Sequence, residues 1–119
     1  MMALSLSATL VESNPRVDVR LDHPSIMAGQ PLWLTCHISR HPDNRMMAYG
    51  LVSEDGDAID TQGREVHGND GPVTFQRVIA HAPCGAVAGY CVVQDKFGKQ
   101  EQATAPLLVS GCDVPHPGL

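Results

Sequence analysis

Residues 85–98, GAVAGYCVVQDKFG, carry the reading that decides the fold. The run has no helical period: apolar residues fill both parities and stop at Asp95-Lys96-Phe97-Gly98, a tight polar turn. Side chains on a strand alternate between faces, so Val87, Gly89, Cys91 and Val93 share one side, opposite Ala88, Tyr90, Val92 and Gln94. A second run, PLWLTCHI at 31–38, puts Leu32, Leu34, Cys36 and Ile38 on one face and Trp33, Thr35 and His37 on the other. Cys36 therefore belongs to an apolar, core-facing set. The same parity on both runs allows Cys91 to meet it across two packed sheets.

Working outward, turn residues interrupt the chain every eight to twelve positions, the spacing of an all-β fold. Strands are expected at 3–11 (ALSLSATLV), 16–21, 31–38, 46–53, 72–80, 86–94 and 101–110, with a short one at 58–60 and a polar loop at 61–71. Glu54-Asp55-Gly56-Asp57 reads as a hairpin turn, and Asp95 to Gly98 as another. The expectation is an antiparallel β-sandwich of about seven strands over 1–110, followed by a Pro/Gly-rich tail at 111–119.

The 119 residues have room for one domain, and eleven Gly with nine Pro at 43% hydrophobic content fit a compact fold of short elements. Eight Lys and Arg against thirteen Asp and Glu leave a net charge of −5. That balance lacks the basic footprint that phosphate neutralisation requires, so nucleic acid is not an expected partner. No window approaches the roughly 18 consecutive apolar residues of a membrane span. The apolar first residues lack a basic n-region, so they read as a strand and no signal peptide is expected. The even cysteine count, Cys36, Cys84, Cys91 and Cys112, nevertheless favours a secreted, periplasmic or surface-exposed setting.

With GQPLWLTCHI, Tyr49 thirteen residues after its cysteine, and GYCVVQDKFG before a closing strand, the chain from about 28 to 110 resembles the B, C, F and G strands of an immunoglobulin-like domain. The resemblance implies a disulfide between Cys36 and Cys91, Tyr49 in the place of the family's aromatic on strand C, and an F–G turn marked by Asp95 and Gly98. Such a bridge closes 55 positions, worth about 4 kcal/mol of chain entropy. The remaining pair, Cys84 and Cys112, would then lie at the start of F and the end of G, which are antiparallel neighbours. This chain differs from the family pattern at Tyr90, one position from the usual tyrosine, and at Trp33, which lies on the B-like strand.

Catalytic and metal-binding signatures are sparse. No G-x-S-x-G, C-x-x-C, H-E-x-x-H or phosphate-cradling glycine loop occurs, and Glu54, Asp55 and Asp57 cluster on a solvated turn. A superoxide-reductase-like iron site would place a histidine where Gln94 stands, leaving only His41 to map. A cupredoxin-like copper site would draw on His67, Cys112 and His116, with no closing strand after them. No cofactor or metal is expected. The outward residues Ala88, Tyr90 and Val92, with Met46, Ala48, Gly50 and Val52 on the C-like strand, make an apolar outer sheet face of the kind that marks an interface. The expected function is a non-enzymatic binding or assembly module engaging a protein partner or a second copy through Ala48, Tyr90 and Val92. The alternatives are a small metal or redox protein on the same scaffold, and a carbohydrate-binding module using Trp33 and Tyr90.

Overall fold

The computed structural model describes residues 16–68 and 72–112. Among these there is no helix and there are nine strands: β1 (Val17–Leu21), β2 (Ser25–Met27), β3 (Leu32–Ile38), β4 (Asn44–Ser53), β5 (Ala58–Glu65), β6 (Val73–Ile79), β7 (Ala86–Asp95), β8 (Gln100–Pro106) and β9 (Leu108–Ser110). A three-stranded antiparallel sheet, β1-β3-β6, packs on a four-stranded one, β5-β4-β7-β8, and β2 and β9 form a short parallel pair. The expected strand at 3–11 lies outside the described residues.

Strand alternation assigns the core. Leu32, Leu34, Cys36 and Ile38 of β3 face Met47, Tyr49 and Leu51 of β4 and Cys91 and Val93 of β7, all in one buried cluster with Val17 and Val19 of β1. Gly89 is on this inward face, where a Cβ would come within 3.0 Å of the Leu21 side chain. Cys36 and Cys91 sit at disulfide distance between the sheets, with Cα atoms 5.7 Å apart. Phe75 stands beside Cys36 in the register of β3 and β6, and Tyr49 stands beside Cys91 in that of β4 and β7. Their rings approach to 6.1 Å between centroids, so an aromatic pair flanks the two sulfurs. Cys84 and Cys112, with Cα atoms 5.5 Å apart, stand at disulfide distance between the approach to β7 and the chain just past β9.

Three differences from the expected strands have local causes. The polar stretch after Asp60 is not a loop: Gln62 to Glu65 pair with Tyr49 to Met46, which makes β5 an eight-residue edge strand. A register shift between Tyr49 and Leu51 marks a bulge there, with Asp60 at φ 51°. Gly50 permits it, because a Cβ at that position would lie 2.6 Å from the Asp60 carbonyl oxygen. The stretch 101–110 is two strands: Pro106 has no N–H to give, Leu107 makes the last bond to β7 through the Val87 carbonyl, and from Leu108 the chain pairs with β2. β2 itself, three residues after Pro24, is too short to show alternation.

Both turns read from the sequence close as hairpins. Gly56 adopts φ 87° and donates to the Ser53 carbonyl at 3.0 Å, while Gly98 adopts φ 84° and donates to that of Asp95 at 3.0 Å. The Asp95 carboxylate also accepts the Phe97 and Lys99 amides, both at 2.9 Å, which fixes the turn between β7 and β8.

Candidate functional site

Each sheet has an outer face with one aromatic residue, and the two faces differ in access. On the four-stranded sheet, Ala48, Val52, Ala88, Tyr90 and Val92 form a second apolar cluster distinct from the core between the sheets. Their outward parity is as read from the sequence. They are not the exposed patch expected there, however: Ala48 is 5%, Tyr90 1% and Val92 0% exposed. Tyr90 stands opposite Gly50 in the register, and its hydroxyl reaches past β4 to the Thr61 hydroxyl on β5, 2.6 Å away. The ring thus occupies the space above a glycine and anchors at the next strand. Burial pushes the Tyr90 phenol up from its ordinary value of 10.0, against the lowering influence of the Thr61 hydrogen bond and of Arg77.

On the three-stranded sheet the outward residues are largely polar and accessible. Pairing of β6, β3 and β1 lays them out in rungs: Thr74, His37 and Asp18; Gln76, Thr35 and Arg20; then Val78 and Trp33, with Asp22 just beyond β1. Cross-strand hydrogen bonds order these rungs. His37 Nδ1 and the Thr74 hydroxyl are 2.7 Å apart, and Gln76 Nε2 donates to the Thr35 hydroxyl at 3.3 Å. Arg20 Nε donates to the Asp18 carboxylate at 3.0 Å.

Trp33 is the half-exposed aromatic of this face, and Val78 beside it is equally open, at 49% and 46%. Asp22 fixes the Trp33 backbone from the side. The Trp33 amide donates to its Oδ1 at 2.9 Å, and the Asp22 amide donates to the Trp33 carbonyl at 3.1 Å. An open cleft of about 480 Å³ runs along this corner, lined by Arg20, Leu21, Asp22, Trp33, Thr35 and Gln76. It offers an indole, a guanidinium, a carboxylate, an amide and a hydroxyl. That set can stack on and hydrogen-bond a ligand, and it includes no nucleophile paired with a base.

Among the described residues no three His, Cys, Asp or Glu side chains are grouped as metal ligands. His116 lies outside the described residues, and Cys91 and Cys112 each face another cysteine at bonding distance, so neither is placed as a lone thiolate. The Gln94 side chain accepts from Gln100 Nε2 at 3.2 Å. His41 and His67 line a small crevice with Asn44. Phe97, the most exposed large apolar side chain among the described residues, stands at the tip of the β7–β8 turn.

Sequence reasoning singled out Trp33, placed Thr35 on its face by parity, and missed the cleft partners Arg20, Asp22 and Gln76, which come from β1 and β6 through pairings that no local pattern reveals.

No family model matches the chain, and comparison with curated proteins returns no match. Among solved structures the chain is similar to Spo0M, the sporulation control protein from Bacillus subtilis, at a TM-score of 0.43 and 14% identity. The match covers 79% of this chain and 48% of that one, so the chain spans about half the length of that protein.

Proposed function

We infer that the protein is a non-enzymatic binding module on an immunoglobulin-like scaffold, engaging its ligand through the outer face of β1, β3 and β6. The observation that carries this reading is the half-exposed Trp33 beside Val78, on a sheet whose remaining outward side chains are polar. A large aromatic brings contact area at low conformational cost, which is why such residues anchor recognition surfaces. The immunoglobulin-like part of the reading is supported by the Cys36–Cys91 pair flanked by Tyr49 and Phe75, and by the Asp95–Gly98 turn. Joining the sheets by a bond at that pair, and the chain end by one between Cys84 and Cys112, would hold the face rigid as a platform.

The test works with an unidentified ligand. Amide NMR spectra of the isotopically labelled chain are recorded before and after adding macromolecular and small-molecule fractions of an extract from its source. Shifts concentrated on residues of β1, β3 and β6, and absent in Trp33→Ala, are expected. Shifts confined to β4, β7 or the turns, or no perturbation from any fraction, would overturn the reading.

A further inference from the structure

We propose that the Trp33 cleft binds a neutral saccharide, with the indole under the apolar face of one sugar ring and its hydroxyls held by Asp22, Arg20 and Gln76. The inference rests on the reading of this face as the binding surface. Its ligand class follows from the chemistry that lines the cleft.

A pyranose presents C–H groups on one face and hydroxyls around its rim, so it asks for an aromatic plane bordered by groups that both donate and accept. The cleft has that composition. The half-exposed indole is bordered on the β1 side by the Asp22 carboxylate, pinned by its bond from the Trp33 amide. The Arg20 side chain, largely exposed, is held by its Nε on Asp18 and keeps the rest of its guanidinium at the cleft. From β6 comes the Gln76 amide, which carries donor and acceptor together and is held against the Thr35 hydroxyl. Carboxylate, guanidinium and amide are planar and fork-shaped: with Asp22 Oδ1, Arg20 Nε and Gln76 Nε2 already engaged, the remaining Asp22 oxygen beside His23, the Arg20 terminal nitrogens and the Gln76 oxygen are the arms that would meet hydroxyls.

Size and charge favour a small neutral ligand over the other classes. The cleft, about 480 Å³, falls in the range of small-ligand sites and matches one or two sugar units. A protein partner would need roughly 20 to 30 residues a side around an apolar centre. Here the exposed apolar side chains of the face are Trp33 and Val78 alone among the described residues. An anionic ligand would meet Asp18 and Asp22 on either side of Arg20, and a cation stacked on the indole would gain the Asp22 carboxylate but meet the Arg20 guanidinium as well. A neutral polyol is compatible with all three.

Trp33 is the single tryptophan of the chain, so its emission reports the cleft directly. The chain is titrated with cellotriose, xylotriose, mannotriose, maltotriose, chitotriose and lactose, following Trp emission and amide shifts. At least one is expected to give a saturable change with shifts on β1, β3 and β6. Trp33→Ala should then weaken binding by about tenfold or more, and Gln76→Ala by about three- to tenfold, with both variants still unfolding cooperatively within a few degrees of the parent. Saccharide binding that survives Trp33→Ala, or shifts centred elsewhere, would overturn the proposal. If extract fractions perturb the face while no saccharide does, the saccharide inference fails and the binding reading stands. If neither perturbs it, both fail.

Discussion

The two outer faces make opposite use of one aromatic each. On the four-stranded sheet, Tyr90 stands among Ala48, Val52, Ala88 and Val92, and the whole group is closed to solvent. On the three-stranded sheet, Trp33 is among carboxylates, hydroxyls and amides and stays half-exposed. The apolar cluster of the first face is thus closed to water, with only Met46 at its end left open, and the more polar face is the accessible one. Apolar character on the outward parity of a strand measures what that face must bury. A lone aromatic on a polar sheet is the better sign of a surface left open for a ligand.

The strongest way to break this contrast is through the cysteines that join the sheets. Replacing Cys36 and Cys91 together by Ala should lower unfolding free energy by about 4 kcal/mol, a large share of the roughly 5–15 kcal/mol expected for one domain. Denaturant unfolding of the double variant measures this, with peptide mapping of the parent under non-reducing conditions. Recovery of both cysteines as free thiols from protein never exposed to reductant would remove the bridge from the account. Next in size, Tyr90→Ala should cost about 3 kcal/mol, as large-to-small changes at sealed aromatic sites do. A stability change under about 0.5 kcal/mol, the range of surface positions, would place Tyr90 on an open face after all and erase the difference between the sheets.

How much of this contrast the sequence carries depends on which property is asked of it. Parity on β3 is legible, because Leu32, Leu34, Cys36 and Ile38 alternate with more open residues; β4 and β7 are buried on both faces, so there the inward set is marked by Cys91 rather than by alternation. The edge strand β5 is not legible: nearly all of Ala58–Glu65 is accessible on both faces, so no apolar period marks it. The switch of β8 into β9 is hidden for another reason, since Leu107 and Leu108 continue an apolar run straight through the point where pairing changes. Whether a face is open is set by what lies beyond the sheet, which alternation does not encode, and this is why Ala48, Tyr90 and Val92 read as exposed. The cleft was invisible for want of register: Arg20 and Gln76 reach Thr35 only through two strand pairings.

A finer probe of the closed face is the Tyr90 hydroxyl. Tyr90→Phe keeps the ring over Gly50 and removes the bond to Thr61, so it should cost about 1 kcal/mol near neutral pH. The pH dependence sharpens the measurement. The phenol titrates higher in the folded chain than its ordinary 10.0, so the neutral form is favoured by folding. This contribution is fully present below pH 10.0 and is lost as pH rises from there through the folded value. Above about pH 10 the parent should therefore lose a component of stability that Tyr90→Phe lacks, and the two unfolding curves should converge. Parallel curves across that window would mean that the Tyr90 hydroxyl is not held in a closed environment.

The smallest expected effect is the one that separates recognition from folding on the open face. Trp33→Ala removes a large side chain, yet half of it already faces water and its neighbours Thr35 and Gln76 bond to each other independently of the indole. The backbone bonds between Trp33 and Asp22 involve the amide and carbonyl of residue 33, so any substitution except Pro keeps them. Unfolding free energy should therefore fall by only about 0.5 kcal/mol, the usual scale for surface positions. Ligand binding at the cleft should be lost at the same time. Measured beside Tyr90→Ala, the pair gives a crossed result: one aromatic needed for stability and one for binding. A Trp33→Ala loss as large as that of Tyr90→Ala would show that the indole is packed as structure, and the exposed face would lose its claim to be the working surface.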